Sequence, residues 1–238
     1  MLPKWQTGIV KRIDSVNNAT RRIFIELPET EQFDFVPGQF VTLDLPIHEQ
    51  RNRRWRSYSI ASMPDGSNLI ELIVVLLEGG AGTTYIFNEI KVGSSFTLRG
   101  PHGLFVLPTD LSKPLFLICT GTGIAPFRSM LLYIQKHQLD HAAIHLVFGT
   151  RTQQELLYRT EMEVLAKSLP NFYYHPTLSR ENWEGNRGYV HEVYEGLCAQ
   201  EPEAHFMLCG WKNMIDEAKE RLLALGYDKQ QIHLELYG

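Results

Sequence analysis

The run Arg56-Ser57-Tyr58-Ser59 puts a guanidinium, an aromatic face and hydroxyls within four residues. A cation clamps a pyrophosphate, a phenol ring covers a flat heterocycle, and a hydroxyl hydrogen-bonds a reactive ring nitrogen; together these are the groups a flavin needs. A second set follows an apolar run that ends in Gly121-Thr122-Gly123-Ile124-Ala125-Pro126. Glycines at a strand-to-helix turn let backbone N–H groups approach a phosphate, and the helix N-terminus adds a favourable field. Pro126 follows where the usual dinucleotide fingerprint has its third glycine, so the turn alone also fits a plain tight connection. The tail Glu235-Leu236-Tyr237-Gly238 adds a carboxylate and another aromatic. Two cofactor sites on one chain point to electron transfer between cofactors.

A third constellation concerns the coenzyme. Gly149-Thr150-Arg151 stands where dehydrogenases that use an unphosphorylated ribose carry an acidic residue, and it has no carboxylate to repel a 2′-phosphate. Ser179-Arg180, Arg187 and Tyr189 supply two guanidiniums, a hydroxyl and an aromatic that suit a phosphorylated adenosine ribose. On their own these residues equally make a solvated loop. On a strand Arg56 and Tyr58 share one face and Ser57 and Ser59 the other, so Ser59 meets the same ligand as Tyr58 only through twist or a bulge.

These groups need a frame. At 238 residues, two domains are the natural division, with a boundary near Pro108–Pro114 that gives units 1–110 and 111–238. The first reads as all-β, with runs at Thr7–Ile13, Arg22–Leu27, Gln39–Leu45, Arg56–Ile60, Leu69–Leu76 and Ser95–Leu98 between turn signals. That spacing favours a small antiparallel Greek-key barrel. One helix is expected from Thr84 to about Lys91, capped by Thr83 or Thr84. The second unit alternates. Pro114–Thr120 is a continuous apolar strand, followed by helix Pro126–His137, strand His145–Gly149 and helix Gln153–Lys167. Strand Phe172–Leu178, helix Val190–Ala199, strand His205–Cys209, helix Met214–Leu225 and strand Ile232–Tyr237 complete a doubly wound parallel sheet.

Composition removes other classes. Hydrophobic residues make up 44%, charged residues 21%, and the net charge of −4 gives no reason to expect nucleic acid. No apolar run is long enough to span a bilayer, and Met1-Leu2-Pro3-Lys4-Trp5 lacks a signal peptide's apolar stretch, so a cytoplasmic location is expected. The three cysteines, Cys119, Cys198 and Cys209, are too few and too far apart for a disulfide framework or a four-thiolate iron–sulfur cluster. No metal site is expected either: His137 and His141 have no partner carboxylate motif.

Taken in order, Pro37-Gly38-Gln39-Phe40, Arg56-Ser57-Tyr58-Ser59, Gly80-Ala81-Gly82-Thr83, Gly100-Pro101-His102-Gly103-Leu104-Phe105, Gly121–Pro126, Leu178-Ser179-Arg180, Cys209-Gly210 and Glu235-x-Tyr237 make the chain resemble the ferredoxin–NADP reductase superfamily over nearly its whole length. The resemblance implies FAD in the barrel and NADPH in the α/β unit. Arg56, with Ser57 beside it, would pair with the flavin pyrophosphate, Tyr58 would stack on the ring, and Ser59 would hydrogen-bond near N5. The Ile73, Val74 and Val75 backbone would line the flavin, while Gly80, Ala81, Gly82 and Thr83 would hold its pyrophosphate. Thr122 would lie between the cofactors, with Gly121 and Gly123 at the dinucleotide. Thr150, Arg151, Ser179, Arg180, Arg187 and Tyr189 would bind the adenosine end, and Gly210 and Trp211 would adjoin NADPH. Cys209 would sit by the nicotinamide, Glu235 would join Ser59 around the reacting atoms, and Tyr237 would cover the other flavin face.

The chain departs from plant-type members by adding Gly238 after the stacking aromatic. It also lacks a clear tyrosine after Val75 for the flavin adenine, which leaves FMN open beside FAD. The expected activity moves electrons from NADPH to a one-electron carrier, ferredoxin or flavodoxin. The alternatives are an oxygenase reductase component, an NAD(P)H flavin reductase, and a non-enzymatic flavin-binding relay or regulatory subunit. Arg51, Arg53, Arg54 and Arg56, with Lys4, Lys11 and Arg12, form the candidate docking face for an acidic carrier.

Overall fold

The structure is a computed structural model that describes residues 3–237; Met1, Leu2 and Gly238, named above, lie outside them. The chain divides into two compact units, one of residues 1–107 with 125–133 and the other of residues 108–124 with 134–238.

The first unit is antiparallel β. Its strands are β1 (Gln6–Asn17), β2 (Thr20–Glu26), β3 (Phe40–Asp44), β4 (Trp55–Ser59), β5 (Leu69–Val75) and, after helix α1 (Ala81–Glu89), β6 (Ser95–His102). They form one six-stranded sheet in the order β4-β3-β6-β1-β2-β5. The two edges meet through an antiparallel bridge between Ile60 and Leu72, so the sheet curls on itself as the expected barrel. Period-2 patterning drives the curl: Val41, Leu43 and Leu45 alternate inward with Ile70, Leu72 and Val74 and with Phe96 and Leu98. Each such burial contributes about 1.5–3 kcal/mol.

One acid is built into this interior. Glu71 on β5 is 3% exposed and accepts from Arg22 Nε at 2.6 Å and Nη2 at 3.2 Å. Arg128, 7% exposed, adds Nη1 at 3.1 Å and donates to the Ala61 carbonyl at 2.7 Å. The Glu71 backbone N–H donates to Ser62 Oγ and its carbonyl accepts from the Ala61 N–H at 2.8 Å, so the acid sits beside the Ile60–Leu72 closure.

The rest of the chain runs β7 (Leu115–Thr120), α2 (Ile124–His137), β8 (Ile144–Thr150), α3 (Arg159–Ser168), β9 (Phe172–Leu178), β10 (Asn186–Arg187), α4 (Val190–Cys198), β11 (His205–Trp211), α5 (Lys212–Ala224) and β12 (Ile232–Tyr237), all in the second unit except residues 125–133 of α2, which carry Arg128 and belong to the first. All pairings are parallel, in the order β10-β9-β8-β7-β11-β12. The order reverses between β7 and β11, and ligands of such sheets bind outside the carboxyl ends of the strands at that point. Among the described residues no helix is long and apolar enough to cross a membrane.

Three expectations about elements need correction. Helix α1 begins at Ala81, not Thr84, with Gly80 as its N-cap and no side-chain cap. Thr83 Oγ1 instead turns back, donating to the Gly80 carbonyl at 3.1 Å and accepting the Leu77 N–H. The helix expected over Gln153–Lys167 is split into a 3₁₀ turn at Gln153–Glu155 and α3. The break falls where Leu156 is extended and Tyr158 is left-handed at φ 55°, which sends Leu156 and Leu157 into the interior. Strand β10 was not anticipated, because two residues carry no periodicity.

Candidate functional site

In the first unit Arg56 lies against the start of α1. A Cβ on Gly82 would meet Arg56 Cγ at 3.0 Å and Nε at 3.2 Å, so the glycine is what lets the guanidinium stem cross the helix N-terminus. Arg56 Nη1 is steadied by the Arg53 and Trp55 carbonyls at 3.1 and 2.8 Å. The first-turn N–H groups of α1, at Ala81, Gly82 and Thr83, have no side-chain cap. A cation and open helix amides in one place fit a pyrophosphate.

Beside it, Tyr58 is pushed up to about 12 by burial, against the opposing pull of the Arg56 charge, so it stays a neutral phenol able to stack. Ser59, at the end of β4, is 4% exposed, whereas Ser57 on the same strand parity is exposed with Oγ 3.2 Å from Thr42 Oγ1. Ser59 pairs with Phe40 in a β3–β4 ladder that runs without a register shift; the nearby irregularity lies in the pairing of β3 with β6, between Phe40 and Thr42. Past the Ile60 bridge β5 is an edge strand. Ile73 and Val74 are buried and Val75 is exposed there, and the free side of the backbone suits a flat ring.

The arginine cluster is less free than the sequence suggests. Asp44, almost wholly buried, accepts from Arg51 Nε at 3.3 Å and forms an ion pair with Arg54, whose Nε lies 2.7 Å from Oδ1 and donates to the Leu45 carbonyl at 3.2 Å. Arg53 Nη1 lies 3.2 Å from His48 Nε2, Lys11 pairs with Glu26 and Arg12 with Asp14.

In the second unit the ends of β7 and β11 are pressed together. A Cβ on Gly123 would collide with the Cys209 carbonyl. Gly210, at φ +136°, faces Thr120 so closely that a Cβ would lie 2.6 Å from its Oγ1. Gly121 is left-handed at φ 53°, Thr122 is half-buried between the two glycines, and the exposed Trp211 lies near this turn. Cys209 is in register with Glu235 on β12 and with Cys119 on β7. Burial, then the Glu235 charge, push its thiol well up, opposed by a hydrogen bond with Tyr237. The structure thus gathers Cys209, Glu235 and Tyr237, and holds Cys209 as a neutral thiol, which is no nucleophile.

The adenosine residues line two stitched loops. Ser179 N–H and Oγ donate to the Thr150 carbonyl at 3.0 and 3.4 Å, and the Arg180 N–H donates to the Arg151 carbonyl at 3.0 Å. Gln153 N–H and Nε2 both donate to Glu181 at 2.8 Å. Arg180 is exposed and its guanidinium has no partner among the described residues. Arg187 instead gives Nε and Nη2 to the Trp183 carbonyl, and Trp183 Nε1 donates to the Asn186 carbonyl, so this loop is tied to itself. Tyr189 is exposed. Arg151 is held by Glu155, a partner the sequence reading missed although the i,i+4 spacing was visible.

Comparison with known proteins agrees with these two halves. Residues 7–107 match an oxidoreductase FAD-binding domain and residues 117–220 an oxidoreductase NAD-binding domain. The chain is 36% identical over 228 residues to a ferredoxin–NADP reductase B of Sorangium cellulosum, covering 91% of each. It is 31% identical to the electron transfer component of an anthranilate 1,2-dioxygenase of Acinetobacter baylyi, spanning 89% of this chain and 61% of that one. A ferredoxin NADP+ reductase from Neisseria gonorrhoeae, solved with bound FAD and NADP, superposes with a TM-score of 0.82 at 25% identity over 98% of both chains.

Proposed function

The chain belongs to the ferredoxin–NADP reductase family, and from that premise we propose that it oxidises NADPH at FAD and hands the electrons one at a time to a cytoplasmic carrier of the ferredoxin or flavodoxin type. It is an oxidoreductase that combines FAD- and NAD-binding domains and passes electrons onward. We assign FAD to residues 1–110 and the nicotinamide dinucleotide to residues 111–238. When bound, FAD supplies the conversion of one hydride into single electrons.

The chain's own residues position and shield. Arg56 and the α1 amides at Ala81, Gly82 and Thr83 neutralise a pyrophosphate. Tyr58, neutral at any physiological pH, offers a ring face, and Ser59 offers a buried hydroxyl for a ring nitrogen. Gly121, Gly123 and Gly210 let backbone N–H groups approach a second pyrophosphate. Cys209, Glu235 and Tyr237 form a neutral thiol, a carboxylate and an aromatic that bound and orient the nicotinamide ring.

The observation that carries the choice of NADPH is Arg180, an exposed cation with no described partner in a loop that also holds Ser179 and Arg187. Arg180→Ala is expected to raise KM for NADPH by about 10- to 100-fold, the size of a lost charge-assisted hydrogen bond, and KM for NADH by less than about twofold. Steady-state kinetics with both coenzymes decides this, and equal effects on both would remove Arg180 from 2′-phosphate recognition.

The likeness to the anthranilate dioxygenase component supports a second reading, a reductase that serves an oxygenase. Stopped-flow oxidation of the reduced chain by ferredoxin, flavodoxin, an oxygenase component and free flavin, side by side, separates the two readings. Fastest transfer to ferredoxin or flavodoxin supports the first.

A further inference from the structure

Arg151 is 61% exposed, yet it is not available as a bare charge. Glu155 accepts its Nε at 3.1 Å and also its Nη2, and takes the Arg151 backbone N–H at 3.0 Å. The Nε–Nη2 edge is one by which a guanidinium grips a phosphate in bidentate fashion, and here a carboxylate occupies it.

The other charges of the two loops are largely matched as well. Arg159 gives Nε to Glu163 at 2.7 Å and Nη1 to Gln153, Glu181 is capped by Gln153, and Arg187 is spent on the Trp183 carbonyl. Burial raises the Glu155 carboxyl, but the hydrogen bonds and charge of Arg151 and the Thr152 N–H outweigh it and hold the group below its usual range, so it stays ionised.

We propose that Glu155 sets how strongly the chain distinguishes a 2′-phosphorylated from an unphosphorylated adenosine, by holding Arg151 in a neutral pair that a 2′-phosphate must open or bind end-on. The inference rests on the adenosine-end reading given above. In this arrangement Arg180 supplies most of the attraction, and Glu155 restrains the preference for NADPH over NADH. Glu155→Gln keeps an acceptor for the backbone N–H groups but removes the competing charge.

The test is calorimetric titration of the flavin-loaded chain with adenosine 2′,5′-bisphosphate and with adenosine 5′-monophosphate, which differ only in the 2′-phosphate. Glu155→Gln is expected to raise the ratio of the two affinities by about fivefold, the scale of one charge interaction near a protein surface. Adding Arg151→Gln to that variant is expected to cancel the gain, because the two residues act as one unit. A ratio that Glu155→Gln leaves unchanged or lowers overturns the proposal, as does a gain that survives the loss of Arg151. A wild-type chain that binds both ligands equally takes down the adenosine-end reading itself, and this inference with it.

Discussion

Replacing Glu71 with glutamine is expected to remove about 3–5 kcal/mol of folding stability, because it leaves the Arg128 guanidinium buried without its counter-charge. Arg128 and Glu71 are both nearly inaccessible, and Arg22 completes the cluster from β2. A glutamine oxygen still accepts one hydrogen bond, but no neutral side chain offsets two guanidiniums beside the Ile60–Leu72 closure. Domains of this kind hold only about 5–15 kcal/mol in total, so the variant should unfold at markedly lower urea concentration. Urea denaturation followed by far-UV circular dichroism measures it. A loss below about 1 kcal/mol would mean that water or a shifted side chain compensates the charge, and that the cluster does not pin the closure.

Ser59→Ala is expected to slow reduction of the bound flavin by NADPH by about 10²-fold, the usual scale for one positioned donor at a reacting atom. The hydroxyl is buried at the end of β4, and alanine fills nearly the same space, so folding and flavin content should hold. Anaerobic single-turnover kinetics reads the step directly. A rate within about twofold of wild type would take Ser59 out of the reaction and leave Tyr58 and the β5 backbone as the only barrel groups beside the ring.

Much of the architecture is legible from periodicity alone. The uninterrupted apolar run Leu115–Cys119 reads as a strand buried on both faces, and it is fully buried as β7. The alternation of apolar and polar residues in Val41–Leu45 reads as a barrel wall. The errors lie where local rules are overridden. Gly80 starts α1 without a side-chain cap because Thr83, the better capping residue by type, bonds backward to Gly80 and Leu77. The helix expected over Gln153–Lys167 breaks at a left-handed Tyr158 so that Leu156 and Leu157 can be buried, a tertiary demand that propensity does not encode.

The candidate site divides the same way. Arg56 and Gly82 were visible as motif residues, and their contact follows from the missing Cβ. What the linear pattern hid is charge pairing across turns. Asp44 pairs with both Arg51 and Arg54 and cancels one of their two charges, and Glu155 neutralises Arg151. Counting arginines therefore overstates both the docking face and the phosphate cradle, and Arg180 stands out only once partners are assigned.

The central claim is that one chain binds FAD and reduces it with NADPH. The chain, purified and supplied with FAD, is to be freed of unbound flavin and mixed anaerobically with NADPH in a stopped-flow spectrophotometer. The account predicts retention of about one FAD per chain and rapid loss of its visible absorption band on mixing. A chain that retains no flavin, or whose bound flavin keeps its band in the presence of NADPH, would contradict it.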